Sequence, residues 1–459
     1  MKKNLLFILV LIVSNFLISQ EYTPNGKGEV IVSGQFGGEI KSKSGKIFLY
    51  EMIGSLEYIL DSTYIRDMKF IFPQRTYYTG VYRLALNNSN HLDFIINPSE
   101  IQQKNISVQI NSHRINKNFI ISNSIENRIK KQYDVKDKSI ASKIKLIKKS
   151  NKNRDQKISE IQSLQNELFL YGVNLSNNHP GTYYGMILSH MESPYSDVKH
   201  LYFNDIDFSD QCIIRSNLLP ARIQKYIRNF NDIQNNKYGF HDAVDVIMEY
   251  AKKNEKVAEF CMFNMLDGFY NTGQTSASEN DRWDDLCNYI MDEYIFGEGC
   301  GDDVSPSDLL KERASHFKSL QVGGFAPSFS AKDMNGNLVE LDKVCKQNKH
   351  TILMFWASHC THCMAELPGF ANWYNSNKSS DMEIIAVSLD GQRGKWENTV
   401  RDNKFNWTNI CQFKVFKSPI CIDYKIKKTP AIFVLNQNME VLSKPRNTAQ
   451  LRAFLANNK

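Results

Sequence analysis

The residues best suited to chemistry lie in Trp356-Ala357-Ser358-His359-Cys360-Thr361-His362-Cys363. Two cysteines two residues apart serve as a structural pair, as half of a zinc site or as a reversible dithiol. A zinc site needs further ligands at similar spacing, and no second Cys-x-x-Cys occurs in the chain. The flanking pattern favours redox chemistry. The apolar run Thr351 to Trp356 reads as a strand, and Cys363, Leu367, Phe370, Ala371 and Tyr374 follow at helical spacing. Cys360 therefore belongs at a helix N-terminus, where free N–H groups and the helix dipole stabilise an anion. A thiolate is such an anion, so the Cys360 thiol is expected to be more acidic than a free cysteine. A second thiol one turn on can then form and break a disulfide with it. The other half of the site is Thr429-Pro430, just before the apolar run Ala431 to Val434. A proline at a strand start removes one ladder donor. A cis bond there turns the backbone sharply, against the cysteine pair, and leaves Thr429 backbone groups for an incoming peptide.

These residues must be held by alternating strands and helices, which the sequence supplies from residue 321 to 459. Strands are expected near 338–341, 351–357, 383–389, 431–435 and 440–443. Helices are expected at 361–375, 395–403, 419–425 and 448–455, with hairpin turns at 333–337 and 436–439.

At 459 residues the chain has the length of about three domains. Lys2 and Lys3 precede the apolar run Leu5 to Val13 and the small or polar residues around Ser19-Gln20. This reads as a signal peptide over 1–19, cleaved near Ser19-Gln20. Phe16-Leu17-Ile18 lengthens the run, so an uncleaved anchor is the alternative. The expected location is the periplasm or cell envelope. Export permits disulfides, and nine cysteines are present. The odd count leaves at least one thiol unpaired within the chain. Cys411 and Cys421 fit a structural disulfide and two buried thiols equally well. Between Lys136 and Lys157 nine cations face two acids, a surplus as large as the whole net charge of +7. Without interleaved aromatics in an exported chain, that run reads as a solvated helix face and not as a nucleic-acid surface.

Residues 27–112 read as an all-β domain, a small sandwich or barrel. Seven short β-branched and aromatic runs near 29–33, 46–50, 56–60, 69–72, 82–86, 92–96 and 106–110 are separated by turn residues. Residues 113–320 read as a helical domain. Ile158, Ile161, Leu164 and Leu168 mark one amphipathic face, and Ser305-Pro306 marks a helix start. Neither region carries a nucleotide loop or ligand spacing for a metal, and no cofactor is expected.

Residues 321–459 resemble the thioredoxin fold, and within it the exported TlpA/ResA-type thiol–disulfide oxidoreductases. The resemblance rests on Ala326-Pro327-Ser328-Phe329, Asp333-Met334-Asn335-Gly336-Asn337, Phe355-Trp356-Ala357-Ser358 with Cys360-Thr361-His362-Cys363, Glu366-Leu367-Pro368 and Thr429-Pro430. It implies that Cys360 is the exposed nucleophile and Cys363 the buried resolving thiol. It implies that Glu366 tunes the pair's proton balance and that Thr429 and Pro430 shape the substrate groove. Protein thiols or disulfides are then the substrates, a membrane electron donor or acceptor the partner, and cytochrome c maturation one task. Haem attachment to this chain is not expected, because Met364 stands where the attachment motif needs histidine. The upstream β and helical regions resemble accessory domains of some exported family members, with no residue roles attached.

Two positions depart from the family. His359 stands where Trp is usual before the first cysteine, and His362 where Pro is frequent before the second. A protonated imidazole beside Cys360 favours its thiolate and makes the disulfide more oxidising. Two rival readings belong to other classes. One is a binding module with a merely structural thioredoxin-like part. The other is Cu(I) handling through paired cysteines and a histidine.

Overall fold

The computed structural model describes residues 22–38, 40, 45–87, 89–100, 104–229, 238–273, 282–301, 304–379 and 381–458. The expected signal segment, 1–19, lies outside them. The chain divides into two units, Met1–Phe230 and Asn231–Lys459.

The first unit opens with nine strands: β1 Lys27–Phe36, β2 Gly45–Ile53, β3 Leu56–Ile65, β4 Lys69–Ile71, β5 Arg75–Tyr78, β6 Gly80–Asn87, β7 Asn90–Ile96, β8 Asn105–Ile110 and β9 Phe119–Ile121. One sheet runs β4-β1-β8-β9 with β5 also on β1, and the other runs β3-β2-β6-β7. Alternate residues point inward, as the two-residue period of a strand requires. Val30 and Val32, Ile47 and Leu49, Leu92 and Phe94, and Ile106 and Val108 meet in one cluster between the sheets. The two strands absent from the sequence reading, β5 and β9, are only four and three residues long.

Helices α1 Ile125–Lys149, α2 Arg154–Asn178 and α3 Tyr183–Ser189 follow, then α4 Leu218–Asn229. Ile129, Leu175 and Leu188 pack with Ile95 on the outward side of β7. The Glu126 carboxylate is buried at this junction, where it accepts from Tyr183 N and Tyr184 N at 2.8 Å each and from Asn97 Nδ2 at 2.8 Å. The lysine-rich run falls on the exposed side of α1 and the start of α2. Lys136 pairs there with Glu167, and Lys152 with Glu160.

The second unit begins with α5 Tyr238–Ala251, α6 Glu255–Gly273, α7 Arg282–Tyr289 and α8 Asp308–Ser319. The division between units thus falls inside the helical stretch read as 113–320. Helices up to residue 229 stay with the sheets, and those from 238 onward pack with the C-terminal part. The Tyr270 hydroxyl donates to Tyr424 O at 3.4 Å, His316 Nε2 lies 2.6 Å from Asp423 O, and Lys427 pairs with Asp267 at 2.7 Å. Helix α8 starts two residues later than expected, because Ser307, not Ser305, accepts from Leu310 N at 3.3 Å.

The remaining elements are β10 Ser330–Lys332, β11 Leu338–Glu340, α9 Leu341–Gln347, β12 His350–Trp356, α10 Thr361–Asn377, β13 Met382–Ser388, α11 Arg393–Asp402, β14 Thr408–Cys411, α12 Pro419–Asp423, β15 Ala431–Leu435, β16 Val441–Ser443 and α13 Thr448–Asn457. The main sheet runs β14-β13-β12-β15-β16, parallel from β14 to β12 and antiparallel beyond. Its central strand β12 is buried at every residue. That burial follows from cover on both faces. Ile352, Met354 and Trp356 join the cluster of Phe370 and Tyr374 from α10, while Phe355 packs on Tyr424 and Phe433.

Candidate active site

Strand β12 ends at Trp356, and the chain turns through Ala357–His359 into α10. Cys360 holds the N-cap position, with extended backbone and its side chain as the cap. Its Sγ accepts from Cys363 N at 3.2 Å, satisfying one of the orphan donors of the first turn. The two sulfurs are bonded, with Cα atoms 5.3 Å apart. The pair is asymmetric in access: Cys363 is fully buried and Cys360 half-buried. Trp356 is sealed in the same cluster as Cys363, with its ring edge-on to Phe405 at 5.3 Å.

The loop before β15 closes over the pair. The Thr429–Pro430 bond is cis, and Thr429 O lies 3.4 Å from Cys360 Sγ. Residues 69 positions apart in the chain thus meet at the Cys360 sulfur. His359 and His362 are both exposed. Glu366 faces elsewhere: its Oε2 accepts from Thr448 N at 2.9 Å and Thr448 Oγ1 at 3.3 Å, at the first turn of α13.

Sequence reasoning missed Asp390, the most heavily engaged side chain around the turn. It is 2% exposed. Its carboxylate accepts from Ser358 N at 3.0 Å, Ser358 Oγ at 2.6 Å and Ser388 Oγ at 2.8 Å, and His359 Nδ1 lies at 3.4 Å. Burial opposes its charge, but the Ser358, Ser388 and His359 hydrogen bonds outweigh that and hold the carboxyl below its usual range. The available signal was its place just past the C-terminal end of a strand parallel to β12, where sites collect in open α/β sheets.

The other seven cysteines are free thiols. Cys411 Sγ donates to Asp390 O at 3.4 Å. Burial raises the thiols of both Cys411 and Cys421, the latter to about 11. Neither has the low-pKa environment of a reactive cysteine. Among the described residues, no three His, Cys, Asp or Glu side chains converge as metal ligands. No described helix is long and apolar enough to cross a membrane.

A half-buried Cys-x-x-Cys disulfide at a strand-to-helix junction, facing a cis-proline loop, defines a thioredoxin-like redox domain. Residues 322–444 match the AhpC/TSA family. The chain is 27% identical over 125 residues to the thiol-disulfide oxidoreductase ResA of Bacillus subtilis, covering 27% of this chain and 67% of that protein. It is 27% identical over 149 residues to ResA of Bacillus cereus, covering 30% and 79%. A thioredoxin-like protein from Bacteroides caccae aligns in structure with a TM-score of 0.37 and 15% identity, over 57% of this chain and 92% of that one. The C-terminal part is a thioredoxin-like domain of the TlpA/ResA type, and its class is that of the thiol–disulfide oxidoreductases.

Proposed function

We propose that the chain is an exported cell-envelope enzyme that exchanges electrons with protein disulfides through Cys360 and Cys363. The observation that carries this reading is the asymmetry of the pair, one sulfur half-exposed at a helix cap and the other sealed beneath it. In the reductive direction the Cys360 thiolate attacks a substrate disulfide. A bond forms between Cys360 and one substrate sulfur, and the other leaves as a thiolate. Cys363 then gives up its proton and attacks Cys360, releasing the second substrate thiolate. The substrate gains two electrons and two protons, and the chain is left with the 360–363 disulfide. The reverse sequence oxidises a substrate dithiol. Thr429 and Pro430 line the groove that receives the substrate backbone, with His359, His362 and Trp356 tuning the pair, whereas the Glu366 carboxylate is engaged at Thr448. The basic and apolar N-terminal sequence supports export. Reduction outside the cytoplasm then draws its electrons from a membrane donor, and cytochrome c maturation is one process that uses such reduction.

The test is covalent trapping. The Cys363→Ser chain, expressed with its own leader, should accumulate disulfide-linked adducts on Cys360. Mass spectrometry then identifies the attached polypeptides. The reading fails when no adduct forms, or when Cys360→Ser yields the same adducts.

A further inference from the structure

The turn that leads into Cys360 ends on a histidine whose ring is tied to a buried carboxylate. Asp390 stands just past β13, and Ser388 fixes it there: Ser388 Oγ accepts from Asp390 N at 3.1 Å and donates to Asp390 Oδ2 at 2.8 Å. Oδ2 also accepts from Ser358 N at 3.0 Å, and Oδ1 from Ser358 Oγ at 2.6 Å. These donors hold the carboxylate in one orientation, with Oδ1 3.4 Å from His359 Nδ1. A carboxylate only accepts, so Nδ1 carries the hydrogen in this pair. Nε2 of the neutral ring is then left as an acceptor. The ring is exposed, and its Cα lies about 3.8 Å from that of Cys360, the half-buried member of the redox pair. Of the other titratable groups around the pair, His362 is exposed on α10, Glu366 is held at Thr448, and the Cys411 thiol at the end of β14 donates to Asp390 O at 3.4 Å.

We infer that His359, positioned by Asp390, carries the proton that disulfide exchange must move. A resting Cys360 thiol passes its proton to His359 Nε2 and attacks the substrate disulfide as a thiolate. One substrate sulfur bonds to Cys360, and the other departs with the electron pair of the broken bond. His359 returns the proton to that departing sulfur, so the products are a mixed disulfide and a neutral substrate thiol. The ring ends as it began, and no outside acid or base enters. Asp390 touches no reacting atom. It sets the tautomer of the ring and offsets the positive charge while the proton is there, as the third member of a nucleophile, base and carboxylate arrangement. The indole usual at this position in the family is a donor only, so the route depends on the histidine this chain carries. The inference rests on the oxidoreductase reading and adds a catalytic group to it.

The test uses the reduced full chain at pH 7 and two neutral disulfides. Dithiodipyridine releases an acidic thiol that leaves without a proton. Hydroxyethyl disulfide releases an alkyl thiolate, a poorer leaving group because its thiol is a weaker acid. His359→Gln and Asp390→Asn should each lower the ratio of the alkyl to the aryl rate constant about tenfold, the scale of one lost hydrogen bond to a charged group. The double variant should be no worse than either alone, because the two groups act as one unit. An unchanged ratio in His359→Gln overturns the inference even where both rates fall, since a loosened turn slows the two disulfides alike. Should Asp390→Asn fail to fold, the NMR shifts of the ring nitrogens in the parent chain take its place: hydrogen on Nδ1 supports the positioning role, and hydrogen on Nε2 overturns it. A parent chain that reacts with neither disulfide overturns the oxidoreductase reading itself.

Discussion

The Cys363→Ser chain isolates Cys360 with its helix cap intact, because the donor at 3.2 Å is a backbone N–H. The bond to a charged acceptor contributes about 1.5 kcal/mol to the thiolate, and the helix terminus adds about 0.5 kcal/mol. Together these amount to roughly 2 kcal/mol, or about a 30-fold larger thiolate-to-thiol ratio. A more acidic thiol makes a weaker nucleophile. With a Brønsted slope of about 0.45, the same shift lowers the thiolate's intrinsic reactivity about fivefold. At pH 6 the folded chain should thus be alkylated by iodoacetamide at Cys360 about six times faster than the urea-unfolded chain. At pH 10, where both forms are ionised, the order should reverse and the folded chain should be about five times slower. Following the Cys360 peptide by mass spectrometry keeps the buried thiols out of the measurement. The crossing of the two profiles is the diagnostic feature. Superimposed profiles, or a folded profile displaced to higher pH, would refute the capped-thiolate argument.

The histidines next to Cys360 should raise the potential of the disulfide above thioredoxin's, about −270 mV. His359→Gln with His362→Gln should lower it, and a glutathione-buffer titration of the unmodified chain at or below that value removes the argument. Asp390→Ala deprives Ser358 N, Ser358 Oγ and Ser388 Oγ of their acceptor. It should cost about 2–4 kcal/mol in urea unfolding. Because the Asp390 carboxyl is held below its usual range, its contribution is present above that range and lost as pH falls through the folded value. An Asp390→Ala chain as stable as the parent at pH 7 contradicts this. Glu100 behaves oppositely: burial and the neighbouring Glu126 push its carboxyl up to about 7. The folded state then holds a proton the unfolded state has released, so stability falls as pH rises from about 4.5 to 7 and levels off above. Glu100→Gln should remove roughly 1–3 kcal/mol of that decline between pH 5 and 8. A parent chain with no such slope in urea melts at the two pH values defeats the prediction.

What the sequence made legible is what it encodes locally. The cysteine pair, its preceding strand and its helix lie within 30 consecutive residues, and each is marked by its own period. Asp390 was not legible, because its role arises from the pairing of β13 with β12, which brings it to Ser358 across 32 residues. Glu366 shows the converse failure. Helical spacing puts it one turn beyond Cys363, yet its carboxylate is taken by Thr448, 82 residues on. Spacing along one helix cannot reveal a helix terminus that arrives from elsewhere.

The same limit explains the helical stretch. An amphipathic period states that a helix has an apolar face, not which surface will cover it. Leu175 and Ile129 find Ile95 of β7, whereas Tyr270 of α6 and Phe317 of α8 pack on each other, ring centroids 5.0 Å apart. The Tyr270 hydroxyl then reaches the Tyr424 carbonyl. Because α6 to α8 belong to the redox unit, Asp284 is held by Lys444 and Asp267 by Lys427, one pair on each side of β15 in the chain. The helices from residue 238 onward therefore belong to the unit that carries the redox pair.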